Sequence, residues 1–203
     1  RHSHELFGRQ DVQQLLDAVK ETHPKVVEEL VPNLLPLGGV VQVLQNLLRE
    51  QVPIRDLLTI LETLADWSPA TKDLDILAEH VRHALARTIT KMHLTPEGNI
   101  AAITLGHSLE SAISEALQQT DHGSFLSLDP SVAQQMMNNL AASLEKMSSL
   151  NYQPVVMCSA QIRYHVKRLI DRFMPHIAVL SYDEILSKVE IQSLDMLELN
   201  HAD

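Results

Sequence analysis

Aromatic residues are scarce in this 203-residue chain: one tryptophan, three tyrosines and three phenylalanines, 3% in all. That is too few for a surface that stacks successive bases of single-stranded nucleic acid. Basic residues are also in deficit, with 16 Lys and Arg against 26 Asp and Glu and a net charge of −10. Divided after Met92, the chain carries 10 basic and 13 acidic residues, then 6 and 13. Neither part has the cationic excess of general nucleic-acid binding, so no nucleic-acid partner is expected. A single cysteine excludes an internal disulfide framework and fits a reducing compartment. No apolar run approaches eighteen residues, and no signal-peptide pattern starts at Arg1. The expectation is a soluble piece without direct membrane contact, and its start at Arg rather than Met fits a fragment.

What is present is aliphatic. Hydrophobic residues make up 45% of the chain, enough for a folded core, and the length suits one domain or two small ones. The first half reads as helices. Val12, Leu15, Leu16 and Val19 recur at helical spacing after Gly8. Pro24 opens a second helix with Val26, Val27 and Leu30, and "VPNLLPLGG" interrupts the pattern. Val40, Val43, Leu44, Leu47 and Leu48 resume it. Pro53 is expected to open the next helix, with Asp56 in its first turn and Ile54, Leu57, Leu58, Leu61 and Leu64 as its stripe. The longest helix of this half is expected to carry Leu74, Leu77, Ala78, Val81, Leu85, Ile89 and Met92.

The pattern changes at "TPEGN". "IAAITL" reads as a strand, and Ser108 as the cap of a helix bearing Leu109, Ile113 and Leu117. "TDHGSFLSLDP" reads as a loop. Asp129 and Pro130 start a further helix with Val132, Met136, Leu140, Leu144 and Met147. "PVVMC" and "HIAVLS" flank a helix as a strand, crossover helix and parallel strand, and "VEIQSL" reads as an edge strand. The predicted architecture is an all-α helical bundle over 1–92, followed by a small α/β subdomain with a βαβ unit over 93–203.

Chemistry-bearing motifs are few. Cys158 and Ser159 lie where a strand passes into a helix, a place that can lower a thiol pKa. A nucleophile there would need a base, and His107, His165 and His176 share the subdomain. No G-x-S-x-G elbow surrounds Ser159, and the plainer reading is a half-buried cysteine with Ser159 as helix cap. Anion binding at Ser159 and Ala160 lacks a preceding Gly-rich turn, and no dinucleotide or P-loop motif occurs. His80 and His83 in "AEHVRH" lack the H-E-x-x-H order and further zinc ligands. No metal, cofactor or catalytic site is therefore expected. On the crossover helix, Ile162, Val166, Leu169, Ile170 and Phe173 form one side. Arg163, Lys167, Arg168 and Arg172 lie opposite, either as a solvated face or as a docking patch for an acidic partner.

Five ordered blocks carry a family resemblance: "ELFGRQDVQQLLDAV", "HPKVVEELVPNLLPL", "VLQNLLREQVPIRDLLTILETLADWSP", "VRHALARTIT" and "PVVMCSAQIRYHVKRLIDRFMPHIAVLSYDEI". Over nearly its full length the chain resembles the C-terminal cytoplasmic region of the type III secretion export-gate (FHIPEP) family, flagellar branch. The resemblance implies the third, helical and the fourth, α/β cytoplasmic subdomains of a bacterial inner-membrane protein. It further implies a nonameric ring, no catalytic residues, and partners among export chaperones, substrates and cytoplasmic components of the apparatus. Gly8, Arg9, Pro53, Arg55 and Asp56 match family motifs with an architectural role. The family's main chaperone cleft lies in subdomains this chain lacks. "TDHGSFLSLDP" is similar to the virulence branch, so the same module in an injectisome is the alternative. A helical adaptor fused to a receiver-like domain is a more distant one.

Overall fold

Gly8 is extended, and its N–H donates to the Asp11 carboxylate at 2.9 Å, which opens helix α1 (Arg9–Thr22). A computed structural model describes residues 7–199, in two compact units, one ending at Ile89 and the other beginning at Thr90. In the first unit α1 buries Val12 and Leu16. Pro24 occupies the first position of α2 (Pro24–Glu29), where its missing N–H costs nothing. An irregular turn over Leu30–Leu34 follows, closed by the Leu35 N–H donating to the Leu30 carbonyl at 2.9 Å. Helix α3 (Leu37–Arg49) buries Val40, Val41, Val43, Leu44 and Leu47.

Two expectations for this unit are corrected. Pro53 does not open a helix. Residues 53–56 are irregular, and α4 (Leu57–Trp67) begins after Asp56, whose carboxylate accepts the Thr59 N–H at 3.3 Å. Asp56 is thus the cap and not a first-turn residue. The expected long helix through Met92 is two helices, α5 (Leu74–Ala84) and α6 (Ala86–Met92). Leu85 breaks them with φ −94° and ψ 19°. Apolar spacing does not register such a break: Leu85 and Ile89 remain buried across it, while Met92 emerges 43% exposed. The longest helix of the unit is α1, with 14 residues.

The second unit is built on a four-stranded parallel sheet of order β5-β4-β1-β6. Its strands are β1 (Ile100–Leu105), β4 (Val155–Cys158), β5 (Val179–Ser181) and β6 (Ile191–Leu197). All residues of β1 and β4 are buried, as central parallel strands covered on both faces should be. Helices α7 (His107–Glu115), α8 (Pro130–Lys146) and α9 (Ala160–Asp171) bring Leu109, Ile113, Met136, Leu140, Ile162, Val166 and Ile170 into one core with Ile103, Val156 and Val179. The α8 start follows its sequence: the Asp129 carboxylate accepts the Ser131 N–H at 2.9 Å. That bond holds the Asp129 carboxyl below its ordinary pKa.

Two further corrections fall here. The segment read as a loop contains an antiparallel hairpin, β2 (Leu117–Thr120) and β3 (Gly123–Leu126). Leu117 is consequently the first residue of β2 and not the last of a helical stripe. The hairpin turns through Asp121 and His122, Gly123 resumes the strand with φ +116°, and the Thr120 hydroxyl donates to the Gly123 carbonyl at 2.8 Å. Its strands are mostly polar, so no alternation signalled them. Helix α7 begins at His107 after Gly106, which puts Ser108 inside the first turn. The Glu198 carboxylate lies so close over Gly106 that a side chain there would collide with it.

Candidate docking site

Helix α9 carries the cationic residues singled out from the sequence, and the structure divides them. Its apolar side lies in the core as read, through Ile162, Val166, Leu169 and Ile170. Phe173 is an exception: it lies beyond the helix end and is 56% exposed. Arg163 and Lys167 are not on an open face. They are only 1% and 6% exposed, which corrects the reading of four solvent-facing cations.

The reason lies in the chain that returns to the sheet. The Ala178 carbonyl accepts the Val156 N–H at 2.9 Å, pointing inward to β4. The alternate carbonyls point the other way, as a strand's pleat requires. Because β5 is an edge strand, the Val179 carbonyl has no further strand to pair with among the described residues. Arg163 Nη1 donates to the Val179 carbonyl at 2.8 Å. Lys167 Nζ donates to the carbonyls of Pro175 and Ile177 at 3.1 and 2.8 Å. Arg163 therefore covers the open edge of β5, and Lys167 covers the turn that leads into it. Each has its own counter-charge: Arg163 lies 3.3 Å from the buried Glu184 carboxylate, and Lys167 lies 2.7 Å from Asp171, one helical turn on. A buried charge without such a partner would be strongly unfavourable.

Arg168 and Arg172 remain exposed. They line a groove of about 460 Å³ formed by β3, the start of α8 and the outer side of α9. Arg168 is positioned over the Tyr164 ring, 5.9 Å from its centroid. Leu126, Leu128 and Leu169 give the groove an apolar floor, and Phe125 and Phe173 stand at it. Phe125 is not legible in the sequence, because the polar hairpin carrying it reads as a loop. Glu184 has no local signal beside Arg163, whereas the Lys167–Asp171 pair has the i,i+4 spacing that favours ion pairs.

Ser159 is the residue before α9, but its side chain makes no cap bond. Its N–H donates to Glu110 Oε2 at 3.2 Å, so a carboxylate of the chain itself occupies the helix start. Cys158 is fully buried in the core rather than half-buried. Tyr182 lies near these groups. Burial raises its pKa first, with Glu110 and then Cys158 adding to the shift.

In the first unit, His80 stacks on Trp67 with ring centroids 3.6 Å apart and planes 7° from parallel. Burial, then the neighbouring His83, lowers the His80 pKa below 6.5. Among the described residues no group of three or more His, Cys, Asp or Glu could hold a metal ion. Of the motif residues, Arg9 packs its guanidinium against Gly38 of α3, where an added Cβ would come within 2.9 Å of it. Gly8 and Asp56 begin α1 and α4, while Pro53 and Arg55 lie in the connection before α4. None of these lies in the groove.

A family model described as the FHIPEP family matches residues 1–190, and the chain belongs to that family. It is 40% identical over 199 residues to the flagellar biosynthesis protein FlhA of Bacillus subtilis, covering 98% of this chain and 29% of that protein. The chain thus spans under a third of that relative. Among solved structures, the nonameric EPEC SctV-C superposes with a TM-score of 0.86 at 32% identity, over 96% of this chain and 58% of the other. The Chlamydia pneumoniae CdsV protein, solved in complex with CdsO, gives 0.88 at 31% identity, over 97% and 56%. Among the described residues no single helix is long and apolar enough to cross a membrane.

Proposed function

We propose that this chain is a non-enzymatic part of the cytoplasmic region of a type III protein export gate, serving flagellum assembly. In this reading the whole protein sits in a bacterial inner membrane. The present segment takes part in ring assembly and in docking export substrates, chaperones or components of the apparatus. The observation that carries the reading is the match to a flagellar relative along almost the entire chain. The nonameric assembly of one structural relative and the CdsO complex of another supply the ring and the partner protein. Residues 1–92 and 93–203 correspond to the third and fourth cytoplasmic subdomains. Gly8, Arg9, Pro53, Arg55 and Asp56 serve architecture, and the exposed pair Arg168 and Arg172 belongs to a docking surface. No cofactor takes part.

A second reading is the same module in a virulence secretion system. It is favoured by the close superposition on CdsV and SctV-C. One replacement experiment addresses both. The matching segment of Bacillus subtilis FlhA is exchanged for this chain, and swarming and secretion of flagellar proteins are scored. Restored export at normal protein abundance is expected. An abundant, folded and export-dead hybrid would contradict the flagellar reading.

A further inference from the structure

Two of the chain's three phenylalanines stand at one groove, Phe125 46% exposed and Phe173 56% exposed. Exposed aromatic surface is unfavourable in water and marks an interaction site when it gathers in one place. The charge pattern around them is equally uneven. Acidic residues outnumber basic ones by 26 to 16 in the chain, yet among the described residues the groove is lined by Arg168 and Arg172 and by no carboxylate. The nearest candidate to neutralise them on their own helix, Asp171, is held by Lys167 at 2.7 Å. Arg163 and Lys167 are occupied inside the fold, so the cationic side of α9 that can meet a partner consists of the two groove residues.

We infer that this groove receives an acidic segment of a partner protein, with large aliphatic or aromatic side chains set between carboxylates. Its apolar side chains rest on Leu126, Leu128 and Leu169 and are flanked by Phe125 and Phe173. Its carboxylates meet Arg168 and Arg172, whose planar guanidinium groups suit two-point pairing. The contact of Arg168 with Tyr164 orients that guanidinium beforehand. The inference rests on reading the second unit as a docking module and adds the chemistry of what docks.

The test uses the 203-residue chain and a fluorescein-labelled synthetic peptide with two leucines flanked by glutamates, followed by fluorescence anisotropy. A glutamine-for-glutamate peptide and a serine-for-leucine peptide serve as controls. Each control should bind about ten-fold more weakly. Added salt should weaken the acidic peptide and leave the glutamine peptide unaffected. The double change Arg168→Glu with Arg172→Glu should abolish the preference for the acidic peptide, and Phe173→Ser should weaken both leucine peptides. All these side chains are exposed, and circular dichroism verifies the fold. Equal binding of acidic and neutral peptides, undiminished binding by the folded double variant, or displacement by a polythymidine oligonucleotide at lower concentration than unlabelled peptide would overturn the inference. Those results leave the export role intact. Peptide binding by a chain that fails the FlhA replacement would instead support the groove and count against the flagellar role.

Discussion

The two units solve the same problem, a buried cation, in different ways. In the helical unit Arg82 sits between two carboxylates, 3.5 Å from Glu50 and 3.8 Å from Glu79. Arg82 and Glu79 belong to α5, and Glu50 caps the end of α3. In the α/β unit Arg163 and Lys167 each serve a carboxylate and backbone carbonyls together, Arg163 at the edge strand β5 and Lys167 in the turn before it. A sheet has edges and a helical bundle does not. A basic side chain on a helix beside a sheet edge therefore has a structural use that amphipathic reasoning cannot foresee.

This contrast gives the largest expected mutational effect. Arg163→Ala removes the cation beside the buried Glu184 carboxylate and the donor to the Val179 carbonyl. A loss of about 3–5 kcal/mol is expected. Trp67, the chain's one tryptophan, lies in the helical unit, so its fluorescence follows that unit, whereas far-ultraviolet circular dichroism follows both. In denaturant titrations the dichroism should gain an early transition while the fluorescence midpoint stays in place. A common shift of both signals would show that the units unfold together.

Cys158→Ser is expected to have a smaller effect on the same unit. It introduces a hydroxyl into a fully buried position, at a cost of about 1–3 kcal/mol, and Cys158→Ala should be tolerated for binding and export. A folded, abundant Ala variant without export would refute the structural role. In the helical unit, Asp56→Ala removes the α4 cap and should cost about 1 kcal/mol, read this time by Trp67 fluorescence. Asp56→Asn keeps an acceptor and should recover most of that loss.

The smallest effect is a pH dependence confined to the helical unit. The His80 pKa is lowered in the folded state, so the unfolded chain binds the proton more readily. This contribution to stability is present above pH 6.5 and is lost as pH falls through the lower folded value. Trp67 emission should change with a midpoint below 6.5, because its stacked neighbour becomes charged. His80→Gln should remove that titration. A midpoint above 6.5 would contradict the burial of His80.

The legible parts of the fold were those where one residue type implies one role. Pro24 at a helix start, Asp129 with Pro130, and the apolar runs of β1 and β4 specify their elements locally. The break at Leu85 was not legible, because the buried stripe continues across it. The β2–β3 hairpin was hidden by polar strands. At the candidate site, the helix and its cations were legible. Their division into two buried and two exposed was not, because it depends on where the carbonyls of residues 175–179 fall in space. Nor could the spacing show that Glu110 fills the start of α9.

The division of the α9 cations is the central claim, and amide hydrogen exchange on two variants tests it most directly. Lys167→Met removes the donor to the Pro175 and Ile177 carbonyls, while Arg168→Glu alters only the groove surface. The account predicts faster exchange across α9 and residues 175–181 in Lys167→Met, and wild-type exchange in the same segments for Arg168→Glu. Indistinguishable exchange in the two variants would contradict it.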